Sequence, residues 1–420
     1  MADLVLENLQ RVVTCAPGGS RGPLLGPAMG DLAPLAGDLC VAVAAGRVAY
    51  TGPRSGLPAA LAVAPRRDCG GLLLTPALVD CHTHPAFVKA RAEEFELRLQ
   101  GASYEQIAAK GGGILSSTRA VREGGTAALL AATRRNLARL RAHGVAVAEG
   151  KSGYGLSAEH ELRQLRAIRE AGEALDLHTV RTCLAAHSLP AEFRGSPEQR
   201  EQYLGQVCDE ILPAAARDGL ATRADVFCEQ GVFTPNEALR VGRAAQAAGL
   251  RVTVHAEQLH PSGGALAAAT LGADSADHLE YAGPAEFAAL HAAGTAAVLL
   301  PGSTHCLRMD RWANGRAMVD AGLCVALATD FNPGSSPVAN PAFVMNLSVL
   351  HCGLTPAEAL AAFTVNAAHA LRLPPGEFGV ITPGARAAFA LWDVDHEREI
   401  AYYAGSNLCA EVITCDGWRS

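Results

Sequence analysis

The sequence predicts an α/β chain: a (β/α)8 TIM-like barrel with a small β-sandwich domain built from both chain termini. Three observations predict it. Between residues 73 and 371, short apolar runs alternate with longer Ala/Leu/Arg/Glu segments of helical period. Residues 1–72 and 372–420 carry short β-like runs instead. The distinctive polar residues of the middle stretch fall where its apolar runs end, and in such barrels those strand ends surround the active site.

The elements follow in order. In residues 1–72, the run Val41–Gly52 reads as a hairpin turning at Ala45-Gly46, and a Gly/Pro-rich loop spans Ala16–Pro34. No helix of any length is expected there. Barrel strands are expected at Leu78–Cys81, Val145–Glu149, Val180–Ala186, Asp225–Cys228, Leu250–His255, Ser275–His278, Ala296–Leu300 and Cys324–Ala328. Helices are expected at Thr126–Ala142, Ala158–Ala171, Glu198–Asp218, Pro235–Ala248, Pro284–Ala292 and Pro356–Ala370. Residues 372–420 return to β character at Ala387–Trp392, Glu399–Tyr403 and Glu411–Cys415, which should pair with the N-terminal strands.

Composition narrows the function. A net charge of −7 argues against nucleic acid or an anionic membrane as partner. No apolar run is long enough to span a bilayer, and Met1-Ala2-Asp3-Leu4 does not open a signal peptide. The twelve cysteines form no CxxC pair, which fits core thiols in a reducing cytoplasm better than a disulfide framework.

The chemistry starts at Asp80-Cys81-His82-Thr83-His84, directly after the apolar run Leu72–Val79. Histidines at i and i+2 of a strand end project from one face, so their imidazoles can converge on one metal ion. His255 ends Leu250–His255, and Asp330 follows Val325–Thr329. Three imidazoles and a carboxylate suit one Zn²⁺ or Fe²⁺ and leave room for a water, whose pKa the ion lowers toward neutrality. Asp330 would serve both as ligand and as acceptor of the water's proton. His278, at the end of another strand, would orient the attacking oxygen or stabilise an oxyanion. Lys151 follows the second strand in Glu149-Gly150-Lys151. Its position does not suit a carboxylated lysine bridging two metals, so one metal and a structural or substrate-side lysine are expected.

Several stretches together resemble the imidazolonepropionases of the amidohydrolase superfamily: Asp80–His84, Glu94–Tyr104, Gly111–Ile114, Lys151–Leu156, His255–Leu259, Ala276–Glu280 and Thr329–Ser335. The HxH pair belongs to the whole superfamily; the Ser152-Gly153-Tyr154-Gly155-Leu156 and Thr329–Ser335 segments are specific to this family. The resemblance implies hydrolysis of 4-imidazolone-5-propanoate to N-formimidoyl-L-glutamate in L-histidine degradation, with His82, His84, His255 and Asp330 holding the metal. It implies Arg91 as partner of a substrate carboxylate or ring oxygen, for which a planar guanidinium is suited. Tyr154 and His187 would contact the imidazolone ring, and Asn332, Gly334 and Ser335 would hold the product's α-carboxylate through side-chain and backbone donors. A homodimer is expected from fold analogy.

Two departures stand out. Pro85–Ala90 is unlike the usual family sequence, although the spacing to Arg91 is kept. Gln258 stands where some relatives have Glu, so it is assigned to substrate binding, and proton transfer falls to Asp330 and His278. Two other classes share part of the pattern. A ring deaminase would keep the metal ligands but need not keep Arg91, Tyr154 and the Asn332–Ser335 loop. A non-catalytic binding barrel would be expected to lose ligands, and none is lost.

Overall fold

A computed structural model describes residues 4–101 and 112–414. Of the stretches singled out above, Ala102-Ser103-Tyr104, Gly111 and Cys415 lie outside the described residues. The N-terminal strands are β1 (Leu4–Val13), β2 (Pro34–Ala44), β3 (Arg47–Pro53), β4 (Arg66–Asp68) and β5 (Leu73–Pro76). β2 and β3 form the expected hairpin. Ala44 pairs with Arg47, and the two turn residues Ala45 and Gly46 both have positive φ (51° and 72°), the hairpin turn that matches strand twist.

The eight barrel strands are β6 (Leu78–Asp80), β7 (Val145–Lys151), β8 (His178–Ala186), β9 (Arg223–Cys228), β10 (Arg251–Ala256), β11 (Ser275–His278), β12 (Ala296–Leu299) and β13 (Val325–Leu327). Each pairs in parallel with the next. The ring closes beyond the ends of the first and last strands. Thr83 bridges Phe331, Asp330 N–H donates to His82 O (3.0 Å), and His84 N–H donates to Phe331 O (2.9 Å). The buried Asp80 fastens the same seam by accepting from Thr329 N–H (3.0 Å) and Thr329 Oγ1 (2.6 Å).

β14 (Ala388–Trp392) and β15 (Cys409–Thr414) bring the C-terminal part back to β5, antiparallel. Both chain ends therefore build one seven-stranded sheet, with Ala77 the only residue between its β5 and the barrel's β6. Fully buried Trp392 ties the two together. Its indole donates to Thr75 Oγ1 (2.8 Å), and its ring lies where a Cβ on Gly144, ahead of β7, would be 2.9 Å away. The Ala16–Pro34 loop is docked by Asn366, which bonds both Leu24 N and Leu24 O (2.8 and 2.9 Å).

Three local expectations are corrected. Glu399–Tyr403 is not a strand: Arg398–Tyr402 is a short helix that buries Ile400 and Ala401 and accepts a bond from Asn346 of helix Pro341–His351 (2.9 Å). A five-residue apolar segment cannot be assigned by periodicity, and helix packing decided it. The expected helix Glu198–Asp218 contains a π turn at Val207–Ile211, next to Pro213, which has no N–H to donate. Pro356–Ala370 is two helices, Pro356–Ala362 and Val365–Ala370, parted at Phe363-Thr364. No helix among the described residues is long and apolar enough to cross a membrane.

Candidate metal centre and substrate pocket

His82, His84 and His255 meet at the C-terminal mouth of the barrel, each buried, with one ligand atom of each within 4.8 Å of the others. The Nε2 atoms of His82 and His84 are 3.3 Å apart. Asp330 Oδ1 lies 3.4 Å from His84 Nε2 and 3.6 Å from His82 Nε2. All four predicted ligands are thus brought together: His82 and His84 from one side of the barrel seam, Asp330 from the other, and His255 from β10.

The donor set has the chemistry a divalent ion needs. His82 Nδ1 lies 2.6 Å from Asp277 Oδ2, and His255 Nδ1 lies 2.8 Å from Asp225 Oδ2. A carboxylate on Nδ1 fixes the proton there and leaves Nε2 as a lone pair. Burial, with Lys151 nearby, keeps His82 well below the ordinary imidazole range, and burial does the same at His84. These imidazoles are neutral, the form in which they bind a metal.

Under the ligands lies a buried charged layer. Lys151 Nζ is 2.7 Å from Asp225 Oδ2, 2.9 Å from Glu149 Oε2 and 3.7 Å from Asp277 Oδ2. Against the cost of burial, these carboxylates hold Lys151 above the ordinary lysine range, and His255 and Lys151 hold Asp225 well below the carboxylate range. Lys151 is fully buried, so it is structural and not substrate-side. It braces the two carboxylates that orient His82 and His255. Sequence reasoning did not assign these roles to Asp225, Asp277 and Glu149. The signal was present: Glu149/Lys151, Arg223/Asp225, Thr253/His255 and Ser275/Asp277 each alternate along a strand, so their side chains share the barrel interior.

His278 ends β11 with φ +84°, and Asp330 has φ +51°. Non-glycine residues held in this region are strained and cluster at functional sites. The His278 ring lies 5.3 Å from His255 and 5.7 Å from His82, centre to centre, with Nδ1 3.8 Å from Glu280 Oε1. Burial alone would lower its pKa, but Glu280, Asp330 and Asp277 outweigh that and raise it. Burial raises the Asp330 carboxyl against the pull of His278 and His255.

A cavity of about 530 Å³ opens over the cluster, lined among others by His84, His255, His278 and Asp330. Arg91, Tyr154, His187, Gln258, Asn332 and Ser335 also line it. The His187 ring stacks on His84 (5.2 Å, 21°). Glu257 turns away and accepts from Ala265 N–H (2.7 Å), so Gln258 alone of the pair faces the cavity. Arg98 and Phe95 are further wall residues that sequence reasoning did not single out. The unusual Pro85–Ala90 segment is tied down by Asn136 on Pro85 O (2.9 Å) and Gln164 on Ala86 O (2.7 Å).

The Asn332–Ser335 loop differs from expectation in one respect. Gly334 and Ser335 N–H both donate to Asn332 Oδ1 (2.8 Å each), and Asn332 Nδ2 donates to Asp330 O and Ser335 Oγ (2.7 and 2.9 Å). The expected backbone donors are therefore turned onto the loop itself. Gly334 supplies space: a Cβ there would sit 1.3 Å from Arg91 Nη2, so the guanidinium occupies the room that the glycine leaves. Sequence could not reveal that contact between residues so far apart in the chain.

The amidohydrolase family model matches residues 73–417. The chain belongs to the amidohydrolase family. Among this amidohydrolase's relatives, the imidazolonepropionase of Ralstonia nicotianae is 46% identical over 376 residues, covering 90% of this chain and 91% of the relative. That of Deinococcus radiodurans is 43% identical over 412 residues, covering 98% of both chains. Among solved structures, a triazine hydrolase variant superposes with a TM-score of 0.76 at 16% identity, covering 98% of this chain and 93% of its own. E. coli guanine deaminase superposes with a TM-score of 0.67 at 14% identity, covering 93% and 89%. These likenesses to solved structures show a shared fold.

Proposed function

We propose that this amidohydrolase is an imidazolonepropionase. It hydrolyses the ring C–N bond of 4-imidazolone-5-propanoate to N-formimidoyl-L-glutamate, a step in degrading L-histidine to glutamate. Relatives of that name, 41–46% identical over most of the chain, support the reaction. The observation within the protein that carries the reading is Arg91. Its guanidinium is buried at the cavity wall; the Glu94 carboxylate stands off at 3.8 Å from Nε, and Nε and Nη1 have no hydrogen-bond partner among the described residues. A buried cation with open donors beside a metal-fitting cluster calls for an anionic substrate group, and a ring deaminase has no such need.

In this reading His82, His84, His255 and Asp330 hold one divalent ion, zinc or iron, since the donor set suits both. Such an ion makes a water acidic enough to attack at neutral pH and polarises a carbonyl oxygen. The chain's own residues do the rest. Arg91 and the Ser335 hydroxyl bind the carboxylate, while Asn332, whose amide is spent within its own loop, holds Gly334 and Ser335 in place. Tyr154 and His187 flank the ring, and Gln258 hydrogen-bonds it. Asp330 takes the proton of the attacking water and returns it to the departing ring nitrogen as the C–N bond breaks. His278, at the cavity wall beside the cluster, stabilises the developing oxyanion. The division into 1–72, 73–371 and 372–420, a cytoplasmic setting, and a homodimer with no nucleic-acid or membrane partner belong to the same reading.

The test is turnover of freshly generated imidazolonepropionate by purified, metal-loaded protein, followed by loss of its ultraviolet absorbance and appearance of formimidoylglutamate. Activity should vanish on chelation and return with zinc or iron. No turnover at full metal occupancy would sink the assignment. Arg91→Ala should raise KM about 10- to 100-fold, the worth of a charge-assisted hydrogen bond, with a smaller change in kcat. An unchanged KM would remove Arg91 from carboxylate binding.

A further inference from the structure

The loop that carries Tyr154 is held in an unusual way. Four successive backbone N–H groups, of Gly153, Tyr154, Gly155 and Leu156, all donate to two side chains of helix Ala158–Leu175. Glu161 Oε2 accepts from Gly153 (2.9 Å), and Glu161 Oε1 accepts from Gly155 (2.8 Å) and Leu156 (2.7 Å). Gln164 Oε1 accepts from Tyr154 (3.1 Å), while its Nε2 donates to Ala86 O (2.7 Å). Glu161 and Gln164 are one turn apart on one helix face, and neither is exposed to solvent.

The loop needs this support. Gly153 and Leu156 have positive φ (103° and 51°), so the loop is not a conformation the chain takes by itself. It is also tightly seated: a Cβ on Gly155 would lie 2.4 Å from Glu161 N, and one on Gly153 would lie 2.8 Å from His187 Nδ1. The Gly153 peptide is the link between the two ring-contacting residues. Its N–H is held by Glu161, and its C=O lies 2.9 Å from His187 Nδ1. Tyr154 follows directly, with its ring 5.4 Å from that of His187.

We propose that Glu161, assisted by Gln164, is the positioning residue for substrate recognition: its carboxylate anchors the 153–156 loop and so sets Tyr154 and His187 against the ring. This rests on the reading of Tyr154 and His187 as ring contacts. An amide at 161 keeps the size of the side chain but replaces one acceptor oxygen with a donor, which cannot receive these N–H groups.

The experiment compares Glu161→Gln, Gln164→Ala and Tyr154→Phe with the parent, measuring kcat, KM, bound metal and amide hydrogen exchange. Glu161→Gln should raise KM for imidazolonepropionate about tenfold, the worth of about one lost hydrogen bond, with metal content and kcat little changed. Exchange should quicken at residues 153–156, while β10 and β11 stay protected. Gln164→Ala, which frees the Tyr154 N–H of the loop and also the Ala86 C=O, should move KM and loop exchange the same way but less; it carries the test if Glu161→Gln does not fold. Unaltered protection at 153–156 in both variants overturns the proposal. So does quickened exchange with an unchanged KM where Tyr154→Phe raises KM, a result that leaves the assigned reaction standing. A KM indifferent to Tyr154→Phe as well would refute the ring-contact reading itself.

Discussion

Asp330→Asn should reduce kcat by about 10³-fold or more, because it removes a proton acceptor and weakens a ligand at once. The substitution is clean. Asparagine is nearly isosteric and tolerates the positive φ that Asp330 adopts (51°), and the Asp330 N–H to His82 O bond across the seam involves only backbone. Folding should therefore survive while chemistry does not. Metal analysis separates the two roles. Reduced metal with some activity restored by excess zinc or iron would mark a ligand defect. Full metal with no activity would mark loss of the proton acceptor. Substantial turnover at full occupancy would falsify both roles.

Lys151→Met should be the most damaging substitution outside the cavity. Removing the ammonium leaves Asp225 and Asp277 as buried carboxylates without their lysine, and Glu149 with only Arg223, 3.7 Å away. Breaking a buried ion pair in this way costs about 3–5 kcal/mol. The expected result is a matching fall in stability on urea denaturation of the chelated protein, together with weaker metal binding, since the carboxylates at His255 Nδ1 and His82 Nδ1 lose their brace. Adding Asp225→Asn should recover part of the lost stability but not the metal affinity. A single variant as stable as the parent would mean that water already screens the cluster.

How much of this could be read from sequence follows from the range of each interaction. The barrel was legible because its strands are apolar runs between amphipathic helices, a local pattern. His82, His84, His255 and Asp330 were legible because strand ends in this architecture converge on one mouth. What was not legible depended on partners or on direction. Asn332 was identified as a loop residue, but nothing local told that its amide would be spent on Gly334 and Ser335. Nothing local set Glu161 apart on its helix, yet it faces inward and accepts from three backbone N–H groups of the preceding loop. Glu399–Tyr403 has the β-branched and aromatic content of a strand, and only packing against helix Pro341–His351 made it helical.

The barrel seam has a consequence for when the protein becomes competent. The proposed ligands come from opposite ends of the barrel in chain order: His82 and His84 leave the first barrel strand, and Asp330 follows the last. Nearly 250 residues of chain must be laid down in sequence before those two ends can touch. An ion held between them would act as a clasp on a ring, joining the beginning of the barrel to its finish. A nascent or truncated chain with seven good strands would possess both histidines and still lack the fastening. Competence for chemistry thus reports that the circle has been completed, and a chain that fails to close it is silent from the outset.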